Sequence, residues 1–475
     1  MTSEHQIFLD GSWQAPVRPN GGIPVVNPAT GAQFSVVPAC SPEDADRAVT
    51  AASRAFGAWS HSSKAERLAL LDGLADAVSA RAAEFESTIT SELGVPVATC
   101  RPDQVDLGIQ ALTGARQVLA ELGSEERVGN SVIRREPIGV AACITPWNYP
   151  LYQIALKVGA AFAAGCTVVL KPSELTSLTA LLFARCIDDA GYPPGVFNVV
   201  TGSGTTVGEA VVSHQSVDMV SFTGSTVAGS RVASMAGAGI KKVCLELGGK
   251  SASVVLEDAD IGAAVQHCIA RCFENSGQSC SALTRLVVPR HLLPTVEEIA
   301  AASAERLRVG DPSDPTTDVG PLISQRQRER VLAYIESGLA EGAKLLCGGT
   351  RRPDDLALGY FVAPTVFTTV EPSMRLAREE IFGPVLSIMG YGDVDEAVAI
   401  ANATSYGLSA AVWSADVEHA VRVAARLQAG QVSINGGGYN YFAPFGGYKQ
   451  SGLGRESGRY GVEEFLEVKA LNFPR

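Results

Sequence analysis

The stretch IGVAACITPWNYPLYQIALKVGAAFAAGCTVVLKPSE, Ile138 to Glu174, carries two short apolar runs, Ile138 to Ile144 and Thr167 to Leu170, separated by a turn and a helical segment. The same rhythm continues through Val196 to Val200, Met219 to Phe222 and Lys241 to Leu245. Parallel strands cannot be joined by hairpins and need crossovers, so apolar runs alternating with helices indicate βαβ units. Helices on both faces of such a sheet give a doubly wound α/β domain, whose ligands bind at the carboxyl ends of the strands. A second series predicts a second α/β domain: Ser251 to Leu256, Arg285 to Val288, Val385 to Met389, Ala410 to Trp413 and Gln431 to Ile434.

Length agrees. A chain of 475 residues exceeds the roughly 250 to 300 at which one hydrophobic core stops growing, so two or three domains are expected. Near the start, Ser41-Pro42-Glu43-Asp44 reads as an N-cap with an acid at the third position, followed by Ala45, Val49, Ala52 and Phe56 at helical spacing. Ala65 to Leu93 reads as a second helix stopped by Gly94, with Gly73 as its point of interruption. No repeat of solenoid length is present.

Hydrophobic residues at 46% and charged ones at 19% place the chain among ordinary globular proteins. A net charge of -12 without any basic tract argues against a nucleic-acid partner, which needs clustered Lys and Arg. Arg134-Arg135 and Arg351-Arg352 read as solvated strand ends or loops. Ten cysteines without a Cys-x-x-Cys pair suit a reducing compartment, and the cytoplasm is expected. MTSEHQIFLDGSW has neither the basic start nor the apolar run of a secretory signal. Pro137 to Leu156 is uncharged for the length of a bilayer span, but Pro146, Asn148, Pro150 and Gln153 suit a strand, a turn and a helix start instead, so no membrane partner is expected.

Three positions can carry chemistry. Cys280 sits among the small residues of Gly277-Gln-Ser-Cys-Ser281, open to a substrate if it is not simply an inert buried thiol. Glu246 ends an apolar strand before Gly248-Gly249. There it must be solvated, paired with Lys250 or Lys241, or raised in pKa, and the last is what a general base requires. Asn148, in Pro146-Trp-Asn-Tyr-Pro150, can donate to an oxyanion or merely satisfy turn backbone. Gly202, Gly204 and Gly208 are spaced GxGxxxG rather than as the dinucleotide fingerprint. Phe222-Thr223-Gly224-Ser225 leaves a strand and enters a helix whose free amides can hold a pyrophosphate. The six histidines show no HExxH, and Cys268 with Cys272 suits helix packing better than half a zinc site, so no metal is expected.

Taken in order, PWNYP at Pro146, KPSE at Lys171, FTGS at Phe222, LELGGK at Leu245, GQSCSA at Gly277, EEIFGPV at Glu379 and PFGGYKQSGLGRE at Pro444 resemble the aldehyde dehydrogenase superfamily over essentially the whole chain. The resemblance implies a Rossmann-like NAD-binding domain (1–123 and 138–246), a catalytic α/β domain (247–447), and a small β projection for oligomerisation joined by the tail (124–137 and 448–475). A homodimer or homotetramer follows from it, and the alternation Ser131-Val-Ile-Arg-Arg-Glu136 suits an exposed strand seeking a partner.

It further implies Cys280 as nucleophile, Glu246 as general base, Asn148 as oxyanion donor, and Lys157 and Glu456 as aids to proton movement. The aldehyde would pass through a thiohemiacetal and a thioester, with hydride going to NAD and Glu246 assisting hydrolysis. Cofactor contacts are implied at Thr145, Pro146, Trp147, Lys171, Ser173, Glu174, Gly204, Gly208, Phe222, Thr223, Gly224, Ser225, Leu247, Gly248, Glu380 and Phe382. Glu174 favours NAD over NADP, because a carboxylate accepts ribose hydroxyls and repels a 2′-phosphate. Tyr149, Tyr152, Gln153, Leu156, Ser279, Ser281, Tyr439 and Phe445 are implied to line the substrate tunnel, with Tyr441 and Phe442 nearby. That aromatic lining favours an apolar or aromatic aldehyde and leaves open a quaternary ammonium held by cation–π attraction. Two readings compete: a coenzyme A-acylating enzyme, which commonly lacks the base that Glu246 matches, and a noncatalytic binding protein, which needs none of the three site residues.

Overall fold

The computed structural model describes residues 6–17, 21–123 and 125–474. The first residues of the N-terminal stretch, and Ser124 at the start of the expected projection, lie outside the described residues. The five apolar runs of the first series become strands Val140–Ile144, Thr167–Lys171, Phe197–Val199, Met219–Thr223 and Lys242–Glu246, all parallel to one another. Val140–Ile144 lies between Thr167–Lys171 and Met219–Thr223, so the chain winds outward from it in both directions. That is the doubly wound order, with its switch point beside the first strand.

The second series forms a seven-stranded sheet in which Ala252–Val255 lies between Arg285–Pro289 and Ser409–Trp413. Two of its strands, Lys344–Cys347 and Thr365–Thr368, escape the sequence reading. The first is a partly exposed, antiparallel edge strand, and the second is only four residues bounded by threonines, so neither produces a long apolar run. Each large sheet is covered on both faces by buried apolar clusters.

Helix Pro42–Trp59 begins as expected: Ser41 accepts from the Asp44 amide, and the Asp44 carboxylate accepts in return from the Ser41 amide at 2.9 Å. The helix expected over Ala65 to Leu93 is two, Lys64–Ala80 and Ala82–Leu93, with the break at Arg81 rather than Gly73. Gly73 lies inside Lys64–Ala80, where a Cβ would meet only Ala190 at ordinary contact distance, so the residue is carried through the helix without ending it. All fifteen residues of helix Pro150–Ala164 are buried, which accounts for the uncharged run before it. No helix among the described residues is long and apolar enough to cross a membrane.

Glu125–Val128 and Ser131–Pro137 form a small sheet with Leu466–Asn472. The rest of the tail goes elsewhere. Gly452–Leu453 pairs with Leu245 and Glu246 as an antiparallel edge of the first large sheet, and helix Gly458–Glu464 packs on Asp106–Glu121 and Pro150–Ala164. The tail therefore closes over the end of the strand that bears Glu246.

Replacing Ser41 with Ala removes the bond its hydroxyl accepts from the Asp44 amide and the one it donates to the Asp44 carboxylate, and should cost about 1 kcal/mol, read as a lower denaturation midpoint with unchanged secondary structure.

Candidate active site

At the switch point the turn Thr145–Tyr149 follows one strand, and Gly224 and Ser225 follow its neighbour. Ser225 is exposed, and its hydroxyl caps the thirteen-residue helix Thr226–Ala238 by accepting from the Ala228 amide, with the Phe222–Thr223–Gly224 turn delivering it there. The N-terminus of that helix faces the crevice with its amide ends, which suits a phosphate. Lys171 ends the adjacent strand, buried, with its ammonium 3.3 Å from the half-exposed Glu174 carboxylate. Burial pulls the Lys171 pKa down, and Glu174 opposes that fall. Ser173 caps the turn that presents Glu174, and Gly208, at the end of the Gly204–Gly208 turn, backs onto the Lys171 chain.

The opposite wall comes from the second sheet. Glu380 accepts from the Gly249 amide at 3.0 Å, and a Cβ on Gly248 would lie 2.5 Å from its carboxylate. Phe382, held at φ +62°, meets Trp147 edge-on at 5.3 Å. Leu247 wedges against Gly229 of the crevice helix. A buried ammonium, an exposed helix N-terminus and a half-exposed carboxylate fit a dinucleotide. Of the implied cofactor contacts, Pro146 and Thr145 border this crevice through the turn they build, and the Thr145 hydroxyl is buried without a partner.

Helix Ile261–Phe273 leads into the cysteine loop. Asn275, Ser276 and Gly277 follow with φ of +50°, +58° and +73°, so two non-glycine residues in succession adopt the left-handed conformation. Such positions cost on the order of 1–3 kcal/mol each and persist only where surrounding bonds fix them. Here the bonds are explicit. Ser276 donates to the Gly320 carbonyl, Asn275 to the Asn148 carbonyl, and buried Gln278 accepts from the Ile323 amide at 2.9 Å. Asn148 itself is buried, and its side-chain amide donates at 3.0 Å to the Gln278 carbonyl, two residues before Cys280. The loop thus sets Cys280 and the Asn148 amide on one another's side. Among the ten cysteines, all of them described, Cys280 is the one that is not buried. Cys268 and Cys272 pack inside helix Ile261–Phe273.

Glu246 is the last residue of its strand and 1% exposed, and neither of its oxygens has a hydrogen-bond partner. The salt-bridge alternative fails: Lys241 donates to the carbonyls of Val212 and His214, and the Lys250 ammonium is buried without a partner. Burial pushes the Glu246 pKa well above the carboxylate range, the Glu456 charge raises it further, and Lys157 offsets part of this. Burial and then the Glu246 charge raise the Cys280 pKa as well, so the two groups are close enough to interact. Lys157 is buried beside them, donating to Thr223 Oγ1 at 2.7 Å and paired with Glu456.

Tyr149 immediately precedes helix Pro150–Ala164, and Tyr152, Gln153 and Leu156 lie on its first two turns, all four buried. Tyr149 donates to Glu274 at 3.0 Å, and Gln153 keeps an unpartnered carbonyl oxygen. Ser279 and Ser281 flank Cys280, their hydroxyls 3.3 Å apart, and Ser281 borders a cavity of about 400 Å³ together with Tyr439, Arg271 and His267. Tyr439 packs edge-on against Tyr441 and buried Phe445, whereas Phe442 is half exposed. Sequence reading missed Gln104, whose amide donates to the Asn148 carbonyl, and Glu274, which ties Tyr149 to Arg271. Both act through contacts far along the chain, and no local pattern marks them.

A partly exposed cysteine near a buried carboxylate, at the carboxyl edge of a dinucleotide-type sheet, fits a nicotinamide-dependent oxidoreductase. The chain belongs to the aldehyde dehydrogenase family, whose sequence pattern matches residues 13–471. It is 48% identical over 474 residues to a 3-succinoylsemialdehyde-pyridine dehydrogenase from a Pseudomonas species, covering 99% of each chain. Among solved structures it resembles a mutant aldehyde dehydrogenase C from Pseudomonas syringae in complex with NAD+ and octanal, with 49% identity, a TM-score of 0.98, and 99% and 97% of the two chains covered. It also resembles the NAD+ complex of an aldehyde dehydrogenase from Bacillus cereus, with 39% identity, a TM-score of 0.95, and the same coverage of 99% and 97%.

Gly277 tests the loop. A Cβ there would lie 2.3 Å from the Gly383 carbonyl at φ +73°, so Gly277→Ala should shift Cys280 and lower kcat by about 100-fold while the fold persists by circular dichroism.

Proposed function

We propose that this protein oxidises an aldehyde to its carboxylic acid with NAD, using Cys280 as nucleophile. The observation that carries the reading is that Cys280, the one cysteine that is not buried, lies beside the buried Glu246 carboxylate, where burial and then the Glu246 charge raise the Cys280 pKa. Glu246 takes the Cys280 proton, and the thiolate attacks the aldehyde carbon. The resulting oxyanion is met by the Asn148 side-chain amide and the Cys280 backbone amide, donors already fixed before the charge develops. When bound, NAD supplies the acceptor for the hydride whose loss turns the thiohemiacetal into a thioester. Glu246 then deprotonates the water that releases the acid, and Lys157 with Glu456 moves the proton on.

Lys171, Glu174 and the helix capped by Ser225 hold the adenosine and pyrophosphate side of NAD, with Glu380 and Phe382 at the other end. The half-exposed Glu174 favours NAD over NADP, and kcat/KM should be higher with NAD when the two are compared on one aldehyde. A base at Glu246 supports hydrolysis over transfer to coenzyme A. The substrate is an apolar or aromatic aldehyde: the tunnel is lined by Tyr149, Tyr152, Leu156, Tyr439 and Phe445, and relatives at about half identity act on a pyridine-bearing semialdehyde and bind octanal. The sheet formed by Glu125–Val128 and its neighbours leaves a polar edge strand for a second copy, which supports a homo-oligomer.

Cys280→Ser should bind NAD yet produce no NADH from aldehydes. Glu246→Gln should still form one NADH per site, more slowly than the parent because the Cys280 proton has lost its acceptor, and should slow turnover by about 100-fold or more. In the parent, Glu246 works only when ionised, so kcat should rise with pH through a value above the ordinary carboxylate range. That rise should vanish in Glu246→Gln.

A further inference from the structure

Each turnover of the proposed reaction converts RCHO, H2O and NAD+ into RCOO−, NADH and two protons. Both protons pass through Glu246, which is 1% exposed, and its neighbours Lys157 and Glu456 are 1% and 5% exposed. Both Glu246 oxygens and one Glu456 oxygen have no partner within the protein. The cluster can therefore accept protons, but without a way out it would fill and stop.

A small cavity touches Lys157 and Glu456 and is bordered by Leu156, Ala160, Ser457 and Gly461. A second cavity of about 20 Å³, room for one water, shares those last four residues and continues past Tyr152 to Gln110, an exposed residue of helix Asp106–Glu121. Ser457 is the only hydroxyl common to both. It is 3% exposed and held at φ +66°, a conformation that serine rarely adopts. Its Oγ lies 3.2 Å from the Tyr439 hydroxyl, which lies 2.9 Å from the Tyr152 hydroxyl. Tyr439 in turn borders the large cavity beside Ser281 and is partly exposed.

We propose that the hydroxyls of Ser457, Tyr439 and Tyr152 form the outlet by which protons leave the Glu246–Glu456–Lys157 cluster, an inference that rests on the aldehyde oxidation proposed above. Each hydroxyl accepts one proton and releases its own, so no net bond changes along the chain. A proton from Glu456, carried by a water in the small cavity, enters at Ser457 and leaves at Tyr152 toward Gln110 or at Tyr439 toward the large cavity. These residues touch no reacting atom and act through Glu456. They are positioning residues for the departing proton. A packing role alone does not account for three hydroxyls meeting in a largely apolar region, because the phenyl rings of phenylalanine would fill the same space.

Tyr152→Phe/Tyr439→Phe keeps both rings and their contacts. Its steady-state kcat should fall about tenfold, and kcat should recover as imidazole buffer concentration rises, whereas the parent stays flat. Tyr152→Phe alone, with Tyr439 still able to reach solvent, should show a smaller loss with the same imidazole rescue. An unchanged kcat in the double variant, a loss that imidazole does not relieve, or a change confined to KM would overturn the outlet. Absence of aldehyde-dependent NADH in the unsubstituted protein would overturn the function itself, so the two failures are distinguishable.

Discussion

The parallel pairing of Met219–Thr223 with Lys242–Glu246 puts Thr223 directly opposite Glu246, at the last residue of both strands. Side chains alternate along a strand, so a slip of one residue would turn Glu246 to the other face of the sheet. In the observed register Thr223 receives Lys157, Lys157 holds Glu456, and Glu246 is left buried with no partner. The antiparallel strand Gly452–Leu453 pairs with the far side of Glu246 and brings Glu456 to it from the chain's end. A single register thus assembles the acid–base cluster from four distant segments. Burying an unpaired carboxylate is unfavourable for stability, and the raised pKa that results is what a base near neutral pH requires.

The cysteine loop follows the same logic. Its left-handed residues are unfavourable in isolation and are held by Gln278, Asn275 and Ser276, which reach the Ile323 amide and the carbonyls of Asn148 and Gly320. Those ties connect the second sheet's loop to the turn after the first sheet's central strand. Cys280 and Asn148, donated by different sheets, are therefore fixed relative to each other by hydrogen bonds between the units rather than within either.

Most of this was legible in the sequence where the signal was local. The apolar runs located ten strands to within a residue or two, Ser41 to Asp44 marked a helix start, and short motifs pointed to Cys280, Glu246 and Asn148. What sequence left open depended on distant contacts. Glu246 read alone allowed a salt bridge to Lys241 or Lys250, and only the fold shows both lysines engaged or placed elsewhere. Gly73 reads as a point of interruption, yet the helix Lys64–Ala80 runs through it and breaks at Arg81, which carries no local signal of a break. Gly452–Leu453 is too short to read as a strand, and its pairing with Leu245 and Glu246 cannot be inferred from its own residues.

The central claim is that Cys280, alone among ten cysteines, forms the covalent intermediate. Rapid acid quenching of the enzyme with NAD and an aldehyde such as octanal, followed by peptide mass mapping, addresses it directly. The account predicts one acyl group, with the mass of the acid less water, on the peptide containing Cys280 and on no other. An acyl group on another cysteine, or NADH formed with no acyl adduct even when hydrolysis is slowed by Glu246→Gln, would contradict it.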